Sequence, residues 1–268
     1  MTSPDDRFDR WIARLEARHL ADLTFPEVSR ALRALSSAYV ERRQKLADGA
    51  ALSGAGKRAA FALFYGPLHH LLVTHIVHAL PGALDISSIV DLGCGTGASG
   101  AAWAHACRAE PAEGARERGP RLVGIDRHPW ALGEAAETYR EFGIPASVRQ
   151  GDIAVAALPK GPVAFLAAFT LNELPGAARE KLLERLLDRA GRGDQVLVVE
   201  PLAGFVARWW KGWRDVFENA GGRADEWRVR VELPAIVTKL DRAAGLNHRE
   251  ITGRSLWIGS HVPSSVRP

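Results

Sequence analysis

In the first half of the chain, an apolar segment that contains one acidic residue leads directly into a glycine-rich turn. Residues 89–92 form that segment, Asp91 is the acid, and the turn that follows reads Gly93-Cys94-Gly95-Thr96-Gly97. Glycines are needed where a ligand lies against bare backbone, or where a turn requires dihedral angles that a Cβ atom penalises. The order of strand, glycine turn and helix therefore predicts a cofactor-binding corner.

Two further acids follow the next two predicted strands. Asp126 ends the strand at 121–126, and Asp152 comes after the strand at 146–149. An acid in the position of Asp126 can accept the two ribose hydroxyls of a nucleoside cofactor, and Asp152 is placed to accept an adenine amino group. Asp91 can face the ammonium of a methionine moiety and would repel a diphosphate. The three carboxylates indicate a positively charged nucleoside, S-adenosylmethionine.

The glycines alone do not decide between cofactors. Gly95, Gly97 and Gly100 also satisfy the G-x-G-x-x-G pattern of dinucleotide-binding proteins. An NAD-dependent oxidoreductase is therefore a further hypothesis, and it depends on this pattern alone.

The elements around this corner follow from the periodicity of the apolar residues. From residue 87 onward, short apolar strands alternate with longer helical segments, which is typical of a parallel sheet covered by helices. The predicted strands are 88–92, 121–126, 146–149, 162–169 and 195–200, with two closing strands near 247–252 and 254–259. The predicted helices are 97–109, 129–142, 177–190 and 235–244.

The first part of the chain is predicted to be helical throughout. We divide the chain into an N-terminal helical domain, 1–84, and a cofactor-binding domain, 85–268. Thr24 begins a capping box for a helix that runs to about residue 47. Gly66-Pro67 is expected to kink or split the helix that follows it.

A tryptophan-rich insertion is predicted at about 202–232, after the fifth strand. Its aromatic residues recur at helical spacing, which favours one apolar stripe that packs on the N-terminal helices. The residues of this stripe are Phe205, Trp209, Trp213 and Phe217. The alternative is a lid that stacks on a flat acceptor, either a nucleobase or an aromatic small molecule.

The composition narrows the class of protein. Of the 268 residues, 47% are hydrophobic and 25% are charged, as in globular proteins. No apolar run approaches the roughly 18 residues of a membrane span, so no membrane association is expected. The polar, acidic start lacks the order of a secretory signal, and we expect a cytoplasmic protein. The net charge of +4 permits an anionic partner without identifying one.

The ordered motifs resemble those of class I S-adenosylmethionine-dependent methyltransferases over about residues 85–260. The segments that carry the resemblance are 91–97, 124–126, 151–153 and 169–175. It implies a Rossmann-like α/β sheet with helices on both faces, an N-terminal helical extension, and S-adenosylmethionine as cofactor. The residues that it assigns to cofactor binding are Asp91, Gly93, Cys94, Gly95, Gly97, Asp126, Arg127, Gly151, Asp152, Ile153 and Phe169.

Three residues are candidates for catalysis. Asn172 and Glu173 follow the fourth strand, where the transferring methyl group should emerge, so they are placed to bind or deprotonate an acceptor. Their alternative role is a cap and an acidic first turn for the helix that begins near residue 175. His128 is a further candidate for proton handling, and its alternative role is a helix-start residue.

A second resemblance concerns the cellular process in which the protein acts. Segments 59–68, 169–175 and 199–201 are similar to the methyltransferase-like family associated with the mitochondrial small ribosomal subunit and its bacterial relatives. That family implies ribosomal RNA or ribosome assembly as the setting. Members of that family are known with cysteine ligands for an iron–sulfur cluster. This chain has only Cys94 and Cys107, so no metal or metal cluster is expected.

Two functions follow from these expectations. The first is a methyltransferase whose acceptor, RNA or a small molecule, stays open. The alternative is a non-catalytic ribosome-assembly or RNA-binding factor that retains a cofactor pocket.

Overall fold

Alternating strands and helices from residue 88 onward build one mixed sheet. The computed structural model describes residues 4–41, 52–109, 119–202 and 208–259. The strands are β1 Ser88–Leu92, β2 Arg121–Asp126, β3 Ala146–Gln150, β4 Ala164–Ala168, β5 Gln195–Glu200, β6 Arg223–Val229 and β7 Ile251–Ile258. They are ordered β3-β2-β1-β4-β5-β7-β6. Strands β1 to β5 pair in parallel, and β7 pairs antiparallel with both β5 and β6.

Helices precede the sheet and connect its strands. They are α1 Pro4–His19, α2 Phe25–Glu41, α3 Ala55–Ala60, a π-helical segment Phe61–Tyr65, α4 Gly66–Ala79, α5 Ala98–Ala109, α6 Pro129–Glu141, α7 Gly176–Ala190, α8 Trp210–Asn219 and α9 Ala235–Ala244. A short 3-10 turn, Leu171–Glu173, lies between β4 and α7. The predicted extension of α2 to residue 47 falls in 42–51, outside the described residues.

Helices cover both faces of the sheet, as the sequence predicts. Ile89 and Leu197 belong to the core formed with α4, α5 and α6, whereas Val90 and Val198 belong to the core formed with α7 and α8. All four side chains are fully buried, as expected for parallel strands that are covered on two sides. The predicted α/β fold class is confirmed.

The C-terminal end of the sheet differs from the prediction. The region predicted as an insertion contains α8 and the edge strand β6, and the two predicted closing strands are one strand, β7. β6 reads Arg-Ala-Asp-Glu-Trp-Arg-Val. Charged residues are common on edge strands because they oppose pairing with other chains. Because of these charged residues, the pattern of apolar residues does not predict this strand.

The tryptophan-rich stripe packs on the other side of the sheet from the N-terminal helices. Trp213 and Phe217 on α8 are 1% and 0% exposed, and they lie in the core shared with α7. The prediction that the stripe packs on the N-terminal helices is therefore wrong, because α8 packs against β6, β7 and the core on the opposite face. Phe205 lies outside the described residues.

The helix that carries Gly66-Pro67 is continuous, so the predicted split does not occur. A proline ring crowds the carbonyl four residues before it, and the residue has no N–H to donate. Here the backbone N–H of Gly66 donates to Phe61, five residues back. The extra residue in this π turn accommodates the proline without breaking the helix.

The helix Ala55–Ala79 is long and apolar enough to cross a membrane by length and composition alone. The sequence prediction that no segment approaches this length was too strict. However, 67% of its apolar window is buried inside the protein. The helix therefore belongs to the core.

The core continues across the predicted domain boundary at residues 84 and 85. Trp11 on α1 donates its indole N–H to the Thr138 hydroxyl on α6 at 3.2 Å, and its ring packs on Phe142. Arg18 adds a salt bridge of 2.8 Å to Glu134. The boundary itself stays a prediction.

His70 on α4 is buried among aromatic rings at this junction. Its ring stacks on Phe142, with 4.9 Å between centroids, and lies beside Phe8 and Trp11. Neither ring nitrogen has a hydrogen-bond partner among the described residues. Burial, with a smaller contribution from His105, lowers the pKa of His70 to about 3. The imidazole is therefore neutral in the folded protein.

We expect His70→Phe to reduce the loss of stability on acidification. The pKa of a histidine in an unfolded chain is about 6.5, and the pKa of folded His70 is about 3. The unfolded chain therefore binds a proton that the folded chain does not, and the free energy of unfolding falls as the pH drops through this window.

Urea unfolding at about pH 7 and about pH 4.5 measures this effect, which should be on the order of 2 kcal/mol smaller in the variant. His78→Gln is the control, because His78 is exposed on the same helix. Equal losses in the wild type and in His70→Phe would contradict the prediction.

Candidate active site

The glycine turn after β1 is shaped by close packing. Gly93, Gly95 and Gly97 have φ angles of 72°, 51° and 77°, which L side chains rarely adopt. A Cβ atom at Gly93 would lie 2.1 Å from the Thr170 hydroxyl oxygen. One at Gly97 would lie 2.9 Å from the Cα of Ala135. These two positions therefore require glycine for both conformation and space.

Asp126, at the end of β2, reaches over to this turn. One carboxylate oxygen accepts the Gly95 N–H at 3.0 Å, and the other accepts the His128 N–H at 2.8 Å. The side chain is partly buried. A carboxylate is thus held beside the glycine turn at the edge of the sheet, where the sequence predicts a ribose-binding acid.

Asp91 is oriented differently from the prediction. Its carboxylate is 1% exposed, accepts the Gly100 N–H at 3.1 Å and lies 3.4 Å from the Tyr139 hydroxyl. Burial raises the pKa of Asp91 to about 7. The side chain lies beneath the turn and binds the first turn of α5, so it does not face the ammonium of a methionine moiety.

The contact between Asp91 and the first turn of α5 also explains why residue 100 is a glycine. A Cβ atom there would lie 2.5 Å from a carboxylate oxygen of Asp91. The third glycine of the apparent dinucleotide pattern therefore makes room for a buried acid of the protein itself. The pattern on which the NAD hypothesis depends has a structural cause here.

The turn after β3 lies next to Asp126. The Gly151 N–H donates to the Asp126 carbonyl at 2.9 Å. Asp152 is exposed, and its carboxylate accepts the Ala154 N–H at 2.9 Å. Ile153 is 5% exposed and packs in the core beside α7. The structure thus brings the predicted ribose and adenine acids to neighbouring strand ends.

Arg185 on α7 holds this turn, and the sequence did not identify it. Its guanidinium donates to the carbonyls of Ile153 at 3.2 Å and Ala154 at 2.7 Å, and also to that of Ala156. Among the many arginines on helix surfaces, its sequence position carries no signal of this role.

The rings of Phe61, His69 and Phe169 form an aromatic wall beside the glycine turn. Phe169 follows β4 with a φ angle of 59°, which is strained for an aromatic residue. Its ring stacks on His69 with 3.8 Å between centroids and 10° between planes. The Phe61 ring lies 3.7 Å from the position of a Cβ atom at Gly95.

The wall is apolar and uncharged, because burial lowers the pKa of His69 to about 3. Phe169 is among the residues that the resemblance assigns to the cofactor, whereas Phe61 and His69 are not. The π-helical segment delivers Phe61 to the turn, and π turns are frequent at functional sites. The aromatic run 61–65 was the available signal.

Asn172 belongs to a hydrogen-bond network. Its amide nitrogen donates to the Glu200 carboxylate, and its amide oxygen accepts the Trp209 indole N–H at 3.0 Å. Glu200 is fully buried and also accepts the Leu171 N–H at 2.9 Å. Burial raises the pKa of Glu200 to about 8. Both ends of the Asn172 amide are thus hydrogen-bonded within the protein, and its predicted catalytic role stays a prediction.

Glu173 lies near the Asp126 carboxylate. Burial, with repulsion from Asp126, raises the pKa of Glu173 to about 7, although the Arg127 guanidinium opposes the shift. Arg127 itself is exposed. The two half-buried carboxyl groups therefore repel each other, and a cation bound beside them would relieve this repulsion.

His128 caps α6, which corresponds to its alternative role. Its Nδ1 atom accepts the Trp130 N–H at 3.2 Å.

Cys94 is buried, and a Cβ atom at Gly124 would lie 2.9 Å from its sulfur. Cys94 therefore packs under the turn. In the described ranges, no group of three or more His, Cys, Asp or Glu side chains is arranged to hold a metal ion.

The architecture is shared with solved methyltransferase structures. Mitomycin 7-O-methyltransferase matches 97% of this chain and 74% of its own chain, with a TM-score of 0.52 and 14% identity. The fold is that of Rossmann-like, class I methyltransferases. No protein-family model matches the chain, and no curated protein matches it.

Two further structures are similar to the sheet and its helices. The methyltransferase domain of bacterial CtHen1 has a TM-score of 0.47 at 13% identity, and it covers 71% of this chain and 99% of its own. Magnesium protoporphyrin IX methyltransferase from Synechocystis PCC 6803, with bound SAM, has a TM-score of 0.44 at 15% identity. It covers 72% of this chain and 80% of its own. The resemblance to the ribosome-associated family stays a prediction.

We expect Asn172→Ala to destabilise the protein by about 1 to 3 kcal/mol, because it leaves one buried oxygen of Glu200 and the Trp209 indole N–H without a hydrogen-bond partner. Urea unfolding measures the loss. Asn219→Ala is the matched control, since Asn219 is exposed at the end of α8. A loss no larger than that of the control would show that the network contributes nothing.

Proposed function

We propose that the protein is an S-adenosylmethionine-dependent methyltransferase that binds its cofactor across the glycine turn, between Asp126 and Asp152. The observation that carries this proposal is the Asp126 carboxylate, held at 3.0 Å from the Gly95 N–H. Bare backbone and a fixed acid at adjoining strand ends suit the sugar of a nucleoside. The methyltransferase fold supports the same reading.

The charges favour a cationic nucleoside over a dinucleotide. A diphosphate placed at the turn would meet the carboxyl groups of Asp126 and Glu173, and burial together with repulsion from Asp126 already raises the pKa of Glu173. S-adenosylmethionine carries an ammonium and a sulfonium, which both carboxylates would attract. This argument replaces the one made for Asp91, whose carboxylate is turned inward.

Each part of the cofactor has a candidate partner in the chain. Asp126 would accept the ribose hydroxyls, Asp152 would accept the adenine amino group, and Ile153 would border the adenine ring. Glycine backbone and the aromatic wall would enclose the methionine end.

The cofactor supplies an electrophilic methyl group when it is bound. The chain's contribution is to position the acceptor and to exclude water. Phe169 and His69 present an apolar surface to this side of the site, which favours a planar acceptor such as a nucleobase or an aromatic small molecule. Glu173, with a pKa of about 7, is placed to take a proton from the acceptor at neutral pH.

Asp126→Asn should weaken S-adenosylmethionine binding at least about ten-fold, because an amide cannot accept both N–H donors of the turn and also receive ribose hydroxyls. Isothermal titration calorimetry measures the affinity. Asp188→Asn is the control, since this acid pairs with Arg192 on the surface of α7. Unchanged affinity in Asp126→Asn would refute the ribose assignment.

Cofactor binding at neutral pH should release protons from Glu173. A nearby cation favours the ionised carboxylate and so lowers the pKa of Glu173 from about 7. Titrations in buffers of different ionisation enthalpy count these protons. Glu173→Gln should remove the release, and S-adenosylhomocysteine, whose sulfur is uncharged, should cause less of it. Equal proton release by the wild type and Glu173→Gln would contradict the assignment.

Methyl transfer from labelled cofactor to an RNA or metabolite pool would separate this function from the alternative, a non-catalytic ribosome-assembly or RNA-binding factor. Binding of S-adenosylmethionine without transfer to any pool would favour the alternative.

A further inference from the structure

A second concave site lies at the same edge of the sheet as the glycine turn. Because β7 runs antiparallel to β5, its first residue, Ile251, lies beyond the end of β5, next to Val229 at the end of β6. Together with α9 and the loop 245–250, these strand ends enclose a groove of about 480 Å³. Three strands, β1, β4 and β5, lie between β7 and β2, which carries Asp126.

One side of this groove is apolar. Val229, Val231, Leu233 and Ile251 line it. Val231 is 41% exposed, and among the described residues it is one of two large hydrophobic side chains with such exposure. The other lining residues are polar or charged, so the groove offers both an apolar surface and groups that can fix the orientation of a ligand.

The loop after α9 is held in a fixed conformation. The Asp241 carboxylate accepts both the backbone N–H of His248, at 2.8 Å, and its ring nitrogen Nδ1. Gly245 and Asn247 supply the positive φ angles that the loop requires. Since a carboxylate only accepts, Nδ1 carries the proton, and the ring of His248 is presented to the groove in one orientation.

The acids of the groove are already paired, and its arginines are not. Asp241 is bound by His248, and Glu250 by Arg228 at 2.9 Å. In the part of the chain that the structure describes, the side chains of Arg242 and Arg249 make no hydrogen bond or ion pair. Both residues are exposed and line the groove. The groove therefore offers two guanidinium groups to an anion.

We propose that this groove binds a phosphate-bearing ligand of the nucleotide type. Arg242 and Arg249 would bind the phosphate, since guanidinium groups match phosphate oxygens in geometry and charge. The fixed imidazole of His248 and the apolar side chain of Val231 offer a surface on which a base can pack. The inference is independent of the proposed methyltransferase function, because it depends on residues remote from the glycine turn.

Fluorescence anisotropy with a labelled single-stranded RNA of about 12 nucleotides tests the proposal. Unlabelled AMP and inorganic phosphate are added as competitors. They distinguish a site for a free nucleotide or free phosphate from a site for an RNA strand. Competition by AMP assigns the groove to single nucleotides, and binding of RNA without such competition assigns it to a phosphodiester strand. Arg242→Gln/Arg249→Gln should weaken binding of whichever probe binds by at least about ten-fold and should lower the dependence of RNA binding on salt.

Lys160→Gln/Lys181→Gln is the matched control, because it removes the same charge from exposed residues that do not line the groove. Thermal unfolding and calorimetry with S-adenosylmethionine check that both double variants are folded. The proposal is overturned if neither AMP nor RNA binds the wild type, or if the two double variants lose affinity equally.

Discussion

The backbone of the glycine turn lies so close to its neighbours that no side chain fits at Gly93 or Gly97. The turn of β4 approaches through Thr170, α6 approaches through Ala135, and Asp126 reaches across from β2 to the Gly95 N–H. Three elements thus meet on one stretch of bare backbone. This contact fixes Asp126 beside the glycine backbone.

Buried carboxyl groups hold the parts of the site that the turn does not. Asp91 binds the first turn of α5, and Glu200 binds the turn that carries Asn172. Burial raises the pKa of both acids, to about 7 and about 8. Burying an acid costs free energy unless hydrogen-bond donors satisfy it. The donors that satisfy these two acids fix the geometry of the strand ends.

Much of the site was predictable because strand ends and glycine turns leave strong local patterns. The fold class, strands β1 to β5 and the place of Asp126 followed from periodicity and glycine spacing. The direction of the Asp91 side chain did not, since it depends on the room that Gly100 leaves on α5. The pattern of apolar residues did not predict β6, because its charged sequence is stabilised by pairing with β7 rather than by apolar burial. Phe61 and His69 reach the site through a π turn, which periodicity does not predict.

A crystal structure with S-adenosylhomocysteine bound tests the central claim most directly. The account predicts that the ribose hydroxyls lie within hydrogen-bonding distance of the Asp126 carboxylate, with the sulfur between the glycine turn and the aromatic wall. A nucleoside found elsewhere, with Asp126 still bound only to the Gly95 and His128 N–H groups, would contradict it.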